Sequence, residues 1–206
     1  MYLLSLETTS QTASVAVLED NSVLLEHTWI SRDPGRELVS IVSLAFTRTG
    51  IAPENIDRVV VSTGPGSWTG IRLSMGFALG IARSDAQRIY GVSSLEGLAF
   101  QLGEARKMGA VVPGTGQVLC CCRFADRASL IRKPEPLFRG KISEARAHMR
   151  TCGIIARSGM METTPRLAGR NAYEIPLFPR ASANGGLAYA RILLNIKPEN
   201  MPDYEK

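Results

Sequence analysis

The stretch from Ile56 to Arg83 constrains the fold more than any other part of the chain. It contains Val59-Val60-Val61, apolar at successive positions, so both faces of a strand here must be covered. The glycine-rich segment Thr63-Gly64-Pro65-Gly66-Ser67-Trp68-Thr69-Gly70 follows directly, and then an apolar helical stretch from Ile71 to about Arg83. A buried strand, a sharp turn and an apolar helix in succession form one repeat of a sheet with helices packed on its faces.

Neighbouring segments extend this unit. Tyr2 to Leu6 reads as a buried strand, and Thr12 to Leu18 alternates Ala13, Val15 and Val17 against polar residues. Ser22 to Trp29 is a third strand, joined to the second through Glu19-Asp20-Asn21, which has turn chemistry. Leu38, Ile41, Val42, Ala45 and Phe46 recur at the spacing of one face of a helix over Arg36 to Thr49. After the central unit come a short strand, Arg88 to Val92, and a helix, Ser94 to Leu102. Three strands, helix, strand, helix, strand, helix is the plan of half an α/β fold of the actin-like ATPase or sugar-kinase-like (ASKHA, ribonuclease H-like) kind.

Gly103 to Gly109 breaks the pattern, which predicts an N-terminal half over 1–103 and a smaller, divergent half over 104–206. Expected there are strands at Gly116 to Phe124, Ala128 to Ile131 and Gly153 to Ala156, with helices at Ile142 to Met149 and Leu187 to Ile196. At 206 residues, 45% hydrophobic and 21% charged, the chain can bury a core without disulfides or metals. Three of its four cysteines are consecutive, Cys120 to Cys122, and neighbours on a strand face opposite ways, so they cannot converge on one metal. His148 and Cys152 are four apart, which is weak support for zinc. Met1 to Glu7 lacks a basic leader, and no apolar run approaches the roughly 20 residues of a membrane helix. A cytoplasmic protein with no membrane association is expected. The net charge of +5 biases the chain toward polyanions without defining a site.

As a phosphate loop the glycine segment is deficient. It has no GxxxxGK[ST], and its glycines at 64, 66 and 70 are one residue too long for GxGxxG. A structural turn built from Gly64, Pro65, Gly66, Ser67, Thr69 and Gly70 is the better reading, with Ser67 or Thr69 capping the helix behind it. Glu7, at the end of the first strand, suits a general base in a kinase-like ATPase, but a structural hydrogen bond is the simpler role. Arg72 stands in the first turn of its helix, where the dipole disfavours a cation, and a salt bridge to Glu37 or another carboxylate of the chain, a partner's acidic group or a bound phosphate would offset that.

The second helix is apolar nearly all round. Ile71, Met75, Ala78, Leu79 and Ala82 line one side, Leu73, Phe77, Gly80 and Ile81 another, and Gly76 and Gly80 admit close approach of a helix. The two helices together are expected to form a pairing surface through Leu38, Ile41, Val42, Ala45, Arg72, Met75, Gly76, Leu79 and Ala82.

The segments Leu4-Ser5-Leu6-Glu7-Thr8-Thr9-Ser10, Ala13-Ser14-Val15-Ala16-Val17, Ser62-Thr63-Gly64-Pro65-Gly66-Ser67-Trp68-Thr69-Gly70-Ile71-Arg72 and Tyr90-Gly91-Val92-Ser93-Ser94-Leu95 resemble the bacterial TsaB family, also known as YeaZ. The resemblance implies a non-catalytic scaffold that pairs, through the two helices, with the catalytic subunit TsaD or with itself. It implies work beside the ATPase TsaE in placing a threonylcarbamoyl group on tRNA, with tRNA met indirectly. No cofactor of the chain's own is implied; a nucleotide at the interface between the two proteins is left open. The family usually has Asp at the position of Glu7 and His-Ser or His-Thr at Pro34-Gly35. TsaD's metal-binding HxxxH pair has no counterpart here. Val112 to Val118 and the closing Pro202 to Lys206 also depart from the family pattern. The alternative class is a small ATP-dependent phosphotransferase of the same fold.

Overall fold

The computed structural model describes residues 1–30, 33–83, 85–132, 136–158, 167 and 173–197. The closing segment 202–206 therefore lies outside the described residues. The strands are β1 (Tyr2–Glu7), β2 (Thr12–Glu19), β3 (Ser22–Ile30), β4 (Arg58–Ser62), β5 (Ile89–Val92), β6 (Met108–Pro113), β7 (Val118–Phe124), β8 (Phe138–Lys141), β9 (Ile154–Ser158) and β10 (Tyr173–Leu177). The helices are α1 (Pro34–Thr49), α2 (Trp68–Ile81), α3 (Ser94–Phe100), α4 (Arg127–Arg132), α5 (Ile142–Met149) and α6 (Ala181–Leu193).

Two five-stranded sheets follow one plan. The first has the order β3-β2-β1-β4-β5 and the second β8-β7-β6-β9-β10. In each, three antiparallel strands are extended by two parallel ones: β1 pairs antiparallel with β2 and parallel with β4, as β6 does with β7 and β9. This repetition is the actin-like, sugar-kinase-like architecture of two related halves. Val59, Val60 and Val61 are all buried on the interior strand β4, as an apolar run on successive residues requires.

The compact units do not divide the chain at residue 103. One comprises Met1–Ser94 with Pro179–Lys206, the other Leu95–Phe178. The last helix thus belongs with the first sheet. Its small residues explain why: Ala181, Ala183, Asn184, Gly185, Gly186 and Ala188 are buried, and a Cβ at Gly185 would come within 2.6 Å of the Leu18 side chain. The expected helix start at Leu187 moves to Ala181, because these glycines serve close helix–sheet approach rather than a break.

In the second unit, α4 replaces the strand expected at Ala128 to Ile131. Asp126 supplies the cap, its Oδ1 accepting from the Ser129 N–H at 2.8 Å. Arg127 lies 3.8 Å over the Phe100 ring and pairs with Glu104 at 3.2 Å. The core of this unit joins Val111, Leu119, Cys121, Met149, Cys152 and Ile155. None of the four cysteines forms a disulfide, and all four are buried. Burial pushes the thiols of Cys121 and Cys152 up to about 12 and about 11. At pH 8 these two thiols should therefore stay protonated and resist iodoacetamide in the folded chain, reacting only after denaturation, as peptide mass spectrometry would register. His148 stacks on Phe138 with ring centroids 4.4 Å apart, which accounts for its position without a metal. The described residues contain no cluster of three or more metal-ligating side chains. No helix among them is long and apolar enough to cross a membrane.

Candidate functional site

The glycine turn is clasped by the loop after β1. Ser67 donates its N–H to the Thr9 carbonyl at 2.7 Å, and the Thr8 hydroxyl donates to the Gly70 carbonyl at 2.7 Å. A Cβ at Gly66 would lie 2.5 Å from the Thr9 carbonyl oxygen, and one at Gly70 only 1.8 Å from that of Thr8. Gly64 has φ of +94°, a left-handed conformation that glycine adopts without strain, whereas Gly66 serves close approach. Ser67 caps α2, accepting from the Gly70 N–H at 3.2 Å, while Thr69 is exposed. Backbone N–H groups that a phosphate loop would present to its ligand are thus spent within the chain at Ser67 and Gly70.

Beneath the turn lies a closed polar cluster. Glu7 is fully buried; its Oε1 accepts from the Thr9 N–H at 2.7 Å and from the Thr9 hydroxyl, and its Oε2 accepts from Asn184 Nδ2 at 3.0 Å. The Ser94 hydroxyl shares hydrogen bonds with Thr9 at 3.2 Å and Ser62 at 2.7 Å. Both carboxylate oxygens of Glu7 are engaged structurally, in keeping with the hydrogen-bonding role and not with a base facing substrate. Asn184 carries no local signal in the sequence, since it arrives from 177 residues away. Replacing it by leucine leaves Oε2 buried without its donor, a loss of about 2 to 3 kcal/mol. Both tryptophans, Trp29 and Trp68, lie in this unit, so urea unfolding followed by tryptophan fluorescence reads the effect.

The expected pairing residues separate into two groups. Leu38, Val42, Ala45, Met75 and Ala82 are buried in the core against the sheet, and Ile41 is packed at its margin. Their periodicity marks the face turned inward, which corrects their placement on an outward surface. Leu73, Phe77 and Ile81 are half-buried against the same core, so the apolar excess of α2 is smaller than its composition implies. Outward on α2 are Trp68 (51% exposed), Arg72, Gly76, Leu79 (38%) and Gly80; on α1, Val39 (61%) and Leu44 (42%) stand among serines and other polar residues. No ion pair holds Arg72 among the described residues, so the expected bridge to Glu37 is not formed. A Cβ at Gly76 or Gly80 would meet nothing within 4 Å. Each glycine inside a helix costs about 1 kcal/mol relative to alanine, and nothing beside these two among the described residues requires that cost to be borne.

A family model described as "TsaD: tRNA N6-adenosine threonylcarbamoyltransferase" matches residues 29–122, a stretch that includes α1 and α2. The tRNA threonylcarbamoyladenosine biosynthesis protein TsaB of Bacillus subtilis is 32% identical over 100 residues, 48% of this chain and 44% of that protein. Its namesake in Escherichia coli is 31% identical over 110 residues, 53% and 47% of the two chains. Over this half of its length the chain is similar to TsaB proteins. It spans about half the length of the TsaB relatives it matches. In fold the likeness is wider: the structure of YeaZ from Pseudomonas aeruginosa superposes with a TM-score of 0.73 at 21% identity, covering 91% of this chain and 90% of that one. Sequence likeness to TsaB thus covers about half of this chain, where fold likeness to YeaZ runs over nearly all of it.

Proposed function

We propose that the chain is a non-catalytic scaffold subunit of tRNA threonylcarbamoyladenosine biosynthesis, which pairs with a TsaD-like transferase through the outward faces of α1 and α2. The observation that carries the reading is the pair of exposed helical glycines, Gly76 and Gly80, with empty space beside both. They cost stability in the lone chain and become useful when another helix lies against bare backbone. Arg72, which makes no ion pair among the described residues of the same strip, is placed to meet a partner's acidic group. The match of residues 29–122 to a transferase family model supports a transferase-like occupant, because related subunits can pair through equivalent helices about a pseudo-two-fold axis. A second copy of this chain competes for the same face, giving a homodimer when the transferase is absent. Work in the cytoplasm beside a TsaE-like ATPase belongs to the same reading, with any nucleotide held at the interface of the two proteins.

Mixing the purified chain with a TsaD-like subunit tests the proposal. A complex on a sizing column, together with restored threonylcarbamoylation of tRNA, is the expected result. The rival, an ATP-dependent phosphotransferase, requires the chain alone to turn over ATP, and the engagement of both Glu7 oxygens argues against it. Phosphate release by the isolated chain at the rate of a working enzyme would replace our reading with the rival.

A further inference from the structure

Charge is divided unequally between the two compact units. Residues 95–178 hold 13 Lys and Arg against 7 Asp and Glu, a net +6, whereas the rest of the chain holds 11 against 12. The excess of the whole protein therefore resides in the second unit. Within that unit a cavity of about 330 Å³ opens between the start of β6 and the end of β7. Its polar lining consists of Lys107, Arg123 and Thr151, over a floor that includes Met108, Phe124 and Cys152, and no carboxylate lines it among the described residues.

The backbone that carries Lys107 is held, and Arg123 has a side-chain partner. Lys107 has a left-handed backbone, φ +51°; its N–H donates to the Ala125 carbonyl at 2.7 Å, and its carbonyl accepts from the Gly153 N–H at 2.8 Å. Arg123 sits opposite Gly109 in the β6–β7 ladder and donates from Nη1 to the Thr151 hydroxyl at 3.3 Å. Arg106 and Arg150, both exposed, are the chain neighbours of Lys107 and Thr151. Asp126, next in the chain to Ala125 of the lining, caps α4; the Ser129 hydrogen bonds, with Arg106 nearby, hold its carboxyl below the usual range. The Cys152 thiol donates to the Met108 carbonyl at 3.6 Å and adds no negative charge to the floor.

We propose that this cavity seats a backbone phosphate of RNA, so that the second unit touches tRNA directly. Two cations and a hydroxyl suit a phosphate oxygen cluster, and the net +6 of the unit with exposed arginines next in the chain suits the adjoining phosphates of a polyanion better than an isolated small anion. With no exposed aromatic in the lining to stack a base, contact through the backbone is favoured over reading of sequence. The inference rests on the tRNA-modification reading but not on the pairing face.

Fluorescence anisotropy of a labelled tRNA with the full chain, at salt between about 50 and 200 mM, tests it. The double variant Lys107→Glu, Arg123→Glu should bind at least about tenfold more weakly, and its slope of log affinity against log salt should be smaller by about 2. Lys107→Gln, Arg123→Gln, a milder change at exposed positions, should lose affinity in the same direction, and Lys197→Glu in the other unit should not. Unaltered affinity in both double variants overturns the proposal, as does wild-type binding that is absent or indifferent to salt. Titrations with ATP and with inorganic phosphate identify the source of the phosphate; binding of either without binding of tRNA also overturns it. A chain that fails to pair with the transferase yet loses tRNA with these substitutions sinks the pairing reading alone.

Discussion

Replacing Gly70 by alanine is expected to destabilise the first unit by more than about 3 kcal/mol, among the largest effects of any single methyl group in this chain. The added Cβ would stand 1.8 Å from the Thr8 carbonyl oxygen, and backbone, unlike the tip of a flexible side chain, has little freedom to withdraw. Relief requires the turn to part from the β1–β2 loop. That movement breaks the Thr8 hydroxyl bond to the Gly70 carbonyl and the Ser67 N–H bond to Thr9, and exposes the cluster around Glu7. Gly66→Ala, with its contact at 2.5 Å, should follow in the same direction with a smaller loss. Circular dichroism and tryptophan fluorescence during urea unfolding would register both. A Gly70→Ala chain as stable as the parent would mean that the clasp does not hold the turn as described.

Gly76 and Gly80 are expected to behave in the opposite sense. Alanine at either should raise the stability of the lone chain by up to about 1 kcal/mol, since the helix gains propensity and nothing obstructs the methyl. Bulk at the same positions should separate stability from association: Gly76→Leu leaves the monomer folded but fills the space a partner helix would enter. A loss of about 2.8 kcal/mol in pairing, or a hundredfold in affinity, is the expected order for a central position of an interface. Leu79→Glu, on the same strip, should act alike by burying a charge.

The first sheet is legible in the sequence because each of its elements announces itself locally. Alternation marks β2, the unbroken valines mark β4, and α1 repeats at helical spacing. The second sheet is less so. β8 has only four residues, exposed and half-buried by turns, so alternation has little length in which to show. α4 reads as a strand in isolation because Ser129, Leu130 and Ile131 suit either structure, and the cap at Asp126 decides it. The start of α6 is hidden by Gly185 and Gly186, since the close approach that Gly185 permits depends on the side chain of Leu18, far away in the chain.

The proposed pairing face is half legible. Periodicity finds the stripe that a helix buries, and for Leu38, Val42, Ala45, Met75 and Ala82 that stripe is the core. On the face proposed for a partner, Gly76 and Gly80 are legible in the sequence, while the empty space beside them is seen only from their three-dimensional neighbours. The Glu7 cluster is legible only in its carboxylate, since Ser62, Ser94 and Asn184 come from separate elements.

The most direct test of the central claim is the affinity of the Gly76→Leu chain for a TsaD-like subunit, measured by isothermal titration beside a thermal melt of the variant alone. Our account predicts a melting temperature close to the parent's and an affinity about a hundredfold weaker. A correctly folded variant that binds the transferase as tightly as the parent would contradict it.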